Sequence, residues 1–240
     1  MVKAFSMILI VIVVLPFSAM GAVPISECGH IEKPISGAYC IFKAPKSKSQ
    51  NVIHYFHGSG GNERSWVNSG SLFRADKLRD IWEANGIDAP VVVAVSFGPS
   101  WSLVEANSGI NSEYLQKYVD SILPMVESRV GFIVRERILL GMSMGGGNAA
   151  QLFLKYPKLF TKAALISPAI VDMAPSDVDF INHMVDENHA NVNFAMRFKQ
   201  NMVLKIPDLQ SWLLFSPLDL GDRLLSPDSP ELLVEIGTRD

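Results

Sequence analysis

From about residue 51 onward, short runs of consecutive apolar residues alternate with longer stretches in which apolar positions recur every three or four residues. Near-continuous apolar runs suit strands covered on both faces, and their alternation with helical period marks parallel strands joined by crossover helices. The pattern predicts strands at Val52–Phe56, Pro90–Ser96, Arg137–Met142, Lys162–Ile166 and Leu232–Ile236, with helices at Leu72–Asn85, Ser112–Val130 and Met144–Tyr156. Gly86 stops the first helix, Ser112 caps the second and Pro157 closes the third. Residues 23–50 hold at least one hairpin and end in a Lys- and Ser-rich loop, Ala44–Gln50. The fold class is α/β, a mostly parallel sheet with helices on both faces.

Pro168–Pro230 breaks this rhythm. Amphipathic segments at Ser176–Asn201 and Pro207–Phe215 stand where a crossover needs far fewer residues, so about 171–230 reads as a helical cap over the sheet edge. Between Val171 and Asn193 the cap carries Asp172, Asp177, Asp179, Asp186 and Glu187 without a Lys or Arg, the pattern of a solvated helix face. There is no internal repeat.

The first 22 residues place Lys3 before an apolar run, Met7–Phe17, and then small residues from Ser18 to Ala22. That is the form of a secretory signal peptide, cleaved after Gly21 or Ala22. A run of this length, interrupted by Pro16, is short for a membrane anchor, the rival reading. The expectation is a secreted or periplasmic protein with one domain, 23–240. The only cysteines, Cys28 and Cys40, favour a disulfide in an oxidising compartment, with two buried free thiols as the alternative. Two cysteines without a nearby histidine pair cannot supply four metal ligands, so no metal or other cofactor is expected. The net charge of −3, with 48% hydrophobic residues, excludes disorder and the basic excess that nucleic-acid binding requires.

Gly141-Met142-Ser143-Met144-Gly145 ends one predicted strand and opens a helix with two further glycines. A serine on so tight a strand-to-helix turn adopts strained backbone angles, and side chains two positions before and after would strike neighbouring backbone. The turn exposes the Ser143 hydroxyl beside the Met144 N–H and a helix N-terminus, where a developing oxyanion is stabilised. A Gly-rich turn serving only close packing is the alternative. His57-Gly58-Ser59-Gly60-Gly61 follows another strand, and its backbone N–H groups, chiefly those of Ser59 and Gly60, can reach the same place. His57 itself reads as a brace for this loop.

HGSGGN, LLGMSMGGGNAAQLFLKYPKLF and Ile166-Ser167-Pro168 together resemble the α/β-hydrolase superfamily, most closely its esterase D-like branch of carboxylesterases, feruloyl esterases and mycolyltransferases. The similarity covers about Val52–Ala169. It implies the α/β-hydrolase fold, a nucleophile at Ser143, an oxyanion hole from Met144 and the His57-Gly58-Ser59 loop, an acid after the next-to-last strand and a histidine after the last. Leu232–Asp240 resembles the strand and turn that deliver the acid, making Asp240 its candidate. All five histidines, His30, His54, His57, His183 and His189, precede it. Two expectations follow: a chain cut one strand and one helix short, with an unpaired apolar edge, or a naturally shortened, non-catalytic relative.

Phe97 and Trp101 follow a strand where such folds line a pocket, and are candidate apolar walls; Trp101 packed beneath the cap is the alternative. The leading expectation is an exported serine ester hydrolase acting on a small-molecule ester. A silent binding protein and an acyltransferase are the rivals.

Overall fold

Seven strands form one sheet in the order β1-β2-β4-β3-β5-β6-β7. The computed structural model describes residues 25–67, 75–98, 112–204, 206–224 and 231–235, so the proposed leader lies outside the described residues. β1 (Ile25–Ile31) and β2 (Gly37–Phe42) make the expected hairpin, and β2 pairs antiparallel with β4 (Val91–Ser96). From β4 onward, β3 (Asn51–Phe56), β5 (Glu136–Met142), β6 (Lys162–Ile166) and β7 (Glu231–Glu235) run parallel. Cys28 and Cys40 face each other across the hairpin and form a disulfide.

β4 shows why an unbroken apolar run becomes a central strand. Successive side chains point to opposite faces. Val91, Val93 and Val95 join a core with Tyr118, Leu139 and Phe153, while Val92 and Ala94 join Phe42, Tyr55, Trp66 and Leu140 on the other side. Each fully buried valine contributes about 1.5–3 kcal/mol. At the far edge β7 has no such cover among the described residues, and Leu233 is 60% exposed.

The helices follow the expected order with two corrections. The first predicted helix appears as α1 (Ala75–Ala84). The second is not continuous over 112–130: α2 (Ser112–Lys117) passes through a π-helical turn at Tyr118–Ile122 into α3 (Leu123–Glu127). Pro124, in the first turn of α3, lacks an N–H for the regular ladder, and the wider turn absorbs the missing bond. After α4 (Met144–Lys155), the single cap helix expected at 176–201 divides into α5 (Phe180–Asp186) and α6 (Val192–Val203). His189 takes a left-handed φ of 51°, and the Asn191 side chain accepts the Asn193 N–H to start a new helix. α7 (Leu209–Phe215) is joined by α8 (Pro217–Leu224), which the apolar pattern does not announce and which packs on α4. Among the described residues no helix is long and apolar enough to cross a membrane.

The cap has its own core of Phe180, Met184, Phe198, Met202, Trp212 and Phe215. Met144 belongs to it as well. The cap is thereby seated on the residue next to Ser143.

Candidate active site

β5 ends and α4 begins at Ser143, whose backbone lies at φ 51°, ψ −119°. An L-residue adopts such angles only when its surroundings impose them. They do so through two glycines. A Cβ on Gly141 would collide with the Gly145 carbonyl, and a Cβ on Gly145 would collide with the Phe56 carbonyl and stand 2.6 Å from that of His57. The corner is clamped further where the Ser143 N–H donates to the Ile166 carbonyl at 3.0 Å and its own carbonyl accepts from Ala169 at 2.9 Å. Ser143 is half-buried, and among the described residues its hydroxyl has no hydrogen-bond partner.

The β3 loop lies against this corner. A Cβ on Gly58 would stand 3.5 Å from the Ser143 Cβ. Ser59 and Gly60 occupy an exposed turn that the Gly61 N–H closes on the Gly58 carbonyl at 3.0 Å, with Gly60 at a left-handed φ of 79°. The Met144 side chain is buried, at the first position of α4. Backbone N–H groups of the Gly58–Gly60 turn and of the α4 N-terminus thus belong to the two segments that meet at Ser143.

His57 is buried beneath the loop. Its Nδ1 lies 2.7 Å from the Gly58 carbonyl and its Nε2 lies 2.9 Å from the Ser96 hydroxyl. Burial pulls the imidazole below the ordinary histidine pKa, against smaller upward contributions from the Gly58 bond and the charge of Glu63. The ring is neutral at pH 7 and engaged at both nitrogens, as suits a brace.

The other histidines are placed elsewhere. His30 is exposed on β1, the opposite edge of the sheet from β7. His54 is fully buried, with Nε2 3.0 Å from Glu127 Oε1 and Nδ1 3.3 Å from the Tyr118 hydroxyl. Arg137 donates to both Glu127 oxygens at 2.8 Å. Burial pushes the Glu127 carboxyl up, but the bonds and charges of His54 and Arg137 outweigh it and hold the carboxyl below the usual glutamate range. Sequence reasoning missed this network; the signal was a histidine inside the apolar run Val52–Phe56. In the cap, His183 Nε2 lies 2.6 Å from Asp172, and this bond keeps the Asp172 carboxyl below its ordinary range despite some burial. All five cap acids are exposed.

Asp240 and Trp101 lie outside the described residues. Phe97 is half-buried, edge-on to Tyr118 with ring centroids 6.3 Å apart, and a Cβ on Gly37 would meet its ring. Its ring packs against the core. Among the described residues no group of three or more His, Cys, Asp or Glu side chains gathers around a common point.

Comparison with known proteins places this geometry. A 137-residue segment, 54% of the chain, is 26% identical to an endo-1,4-beta-xylanase/feruloyl esterase of Xylanibacter ruminicola and spans only 18% of that relative. Among solved structures, a ferulic acid esterase matches with TM-score 0.54 at 17% identity, covering 89% of this chain and 90% of its own. A thermostable esterase from Pseudomonas putida matches with TM-score 0.58 at 17% identity, covering 91% of this chain and 65% of its own. At these identities the structures speak for the fold alone, that of α/β-hydrolase esterases. The family model described as "Putative esterase" matches residues 39–213, most of the chain including both glycine motifs. The chain therefore belongs to this esterase family, a family of serine carboxylesterase-type hydrolases on the α/β-hydrolase fold.

Proposed function

We propose that the protein hydrolyses carboxylic esters through an acyl-enzyme on Ser143. The observation that carries this reading is the strained Ser143 corner, φ 51° and ψ −119°, held by two glycines that admit no Cβ. In the proposed step the Ser143 Oγ forms a bond to the ester carbonyl carbon, and the carbonyl electrons move onto oxygen. The Met144 N–H and the Gly58–Gly60 turn, with Ser59, stabilise that oxyanion. The C–O bond to the alcohol then breaks as the Oγ proton passes, through a general base, to the departing oxygen. Water releases the acid from the acyl-enzyme by the reverse sequence. The family arrangement implies a histidine for this base, oriented by an acid for which Asp240 is the candidate, and none of the five histidines of the sequence, all before Asp240, takes that family position. Export of the protein is part of this reading, and the Cys28–Cys40 disulfide supports it.

One observation favours a second reading, a silent protein that binds esters without cleaving them: the Ser143 hydroxyl has no histidine beside it among the described residues. Turnover of p-nitrophenyl acetate and methyl ferulate, with fluorophosphonate labelling, separates the two. The esterase reading expects labelling at Ser143 and turnover that falls at least about a thousandfold in Ser143→Ala. Absence of labelling and turnover, with the ester still bound, would leave the silent reading standing. Product that appears only with an added alcohol acceptor would make it a transferase.

A further inference from the structure

We propose that Ser96 is a positioning residue that holds the His57 ring against the Gly58 carbonyl and thereby ties the oxyanion loop to the loop that follows β4. The inference rests on the esterase reading of Ser143 and adds a group that neither of the glycine motifs contains.

Hydrogen-bond chemistry fixes every direction in this chain of contacts. A carbonyl can only accept, so the proton on His57 must sit on Nδ1, which donates to Gly58 at 2.7 Å. In a neutral ring the opposite nitrogen is then a bare acceptor, so the Ser96 hydroxyl must donate to Nε2 across 2.9 Å. Having used its proton, the Ser96 oxygen keeps its lone pairs free and accepts the Gly98 N–H at 3.3 Å. The order runs one way: Gly98 N–H to Ser96, Ser96 to His57, His57 to Gly58. Gly58 is the residue whose added Cβ would stand 3.5 Å from the Ser143 Cβ.

Both linking side chains are held where water cannot replace them. Ser96 is 6% exposed and His57 is 4% exposed. Ser96 ends β4 in register with Ala38 of β2, and a Cβ on the preceding Gly37 would press on the Ser96 carbonyl and the Phe97 ring. The hydroxyl is therefore delivered by the sheet itself. On the other side, Gly145 lies so close to the Phe56 and His57 carbonyls that the root of the oxyanion loop cannot move without the nucleophile corner. What remains adjustable is the rotation of the Gly58 peptide, which the His57 and Gly61 bonds to its carbonyl set together. Removing the Ser96 hydroxyl leaves Nε2 a buried acceptor without its donor, and the ring loses one of the two bonds that hold it. The ring can then turn away from Gly58, whose carbonyl would keep only the Gly61 N–H.

The test uses the whole protein with Ser96→Ala and Ser96→Thr, all three forms checked by thermal melt. Side-chain nitrogen NMR of histidine-labelled protein at neutral pH is expected to show His57 wholly as the Nδ1–H tautomer in the unmodified protein and in Ser96→Thr. In Ser96→Ala the His57 nitrogen signals are expected to broaden and the Nδ1 proton to exchange faster with solvent. With p-nitrophenyl acetate, kcat of Ser96→Ala should fall about tenfold with KM within about twofold, because an oxyanion donor acts on the transition state and not on substrate binding. Threonine should restore it. An unchanged His57 spectrum in Ser96→Ala would overturn the proposal, as would a loss of kcat that threonine does not rescue. If no form shows Ser143-dependent turnover, the esterase reading fails, and the nitrogen spectra still decide whether Ser96 holds the ring.

Discussion

His54 and His57 are three positions apart in the chain and both are buried, yet they are stabilised in opposite ways. Around His54, inside β3 and beside the start of β5, charge is admitted and then saturated, since Glu127 receives both His54 and the forked Arg137. Around His57, at the carboxyl end of the same strand, the ring contacts only a carbonyl and a hydroxyl and is kept neutral. A buried ion cluster is rigid but gives nothing to a substrate. Neutral partners beside a strained serine leave the local field open for a charge that arrives only in a transition state. The protein concentrates its strain at one end of the sheet and its internal ion pairs at the other.

The largest test of this contrast is Glu127→Ala, which strips His54 and Arg137 of their acceptor. Breaking a buried pair costs about 3–5 kcal/mol, less here because the Arg137 side chain keeps 28% exposure, so the melting temperature should drop while kcat of the protein still folded stays unchanged. A parallel loss of kcat would show that the two regions are not separate. Gly145→Ala should do the reverse. Its methyl group meets two backbone carbonyls that cannot give way, so destabilisation of about 1–3 kcal/mol should accompany a loss of at least about a hundredfold in ester turnover. Wild-type turnover in that variant would mean that the corner is not the site of chemistry.

Acidification gives the smallest and most discriminating contrast. The His57 pKa is depressed in the folded state, so as pH falls through the ordinary histidine range the unfolded chain takes up the proton first and stability declines. Glu127 is also depressed, but from the glutamate range, so its contribution persists above that range and is lost only as pH falls through it. Unfolding free energy followed from pH 8 to pH 3 should therefore decline in two separate steps. The upper step should vanish in His57→Asn, and the lower one should shrink in Glu127→Gln, where the depressed Asp172 carboxyl still contributes; a single step unaffected by either would contradict the assignment.

The fold was legible wherever one physical cause acts over neighbouring residues. The run Val91–Val95 marks a covered strand because both faces need apolar side chains, and the glycines at 141 and 145 mark the corner because their spacing is steric. Breaks inside helical patterns were harder to read. The turn at Tyr118–Ile122 keeps the apolar rhythm of a helix, and the break between α5 and α6 rests on the backbone angle of His189 and the Asn191 cap. Contacts set by strand order were not legible at all. Ser96 meets His57 only because β4 lies beside β3, and Glu127 reaches His54 across 73 positions of sequence. The positions proposed for the acid, Asp240, and for one pocket wall, Trp101, lie outside the described residues, so their part in the site rests on sequence alone.

Met144 serves two masters, since its side chain is a member of the cap's apolar cluster while its backbone opens the helix behind Ser143. A substituted or remodelled cap must therefore still offer a socket to a large apolar residue at this one position. Relatives could exchange every other part of the cap, but a smaller residue here would loosen the roof and the peptide beside Ser143 together.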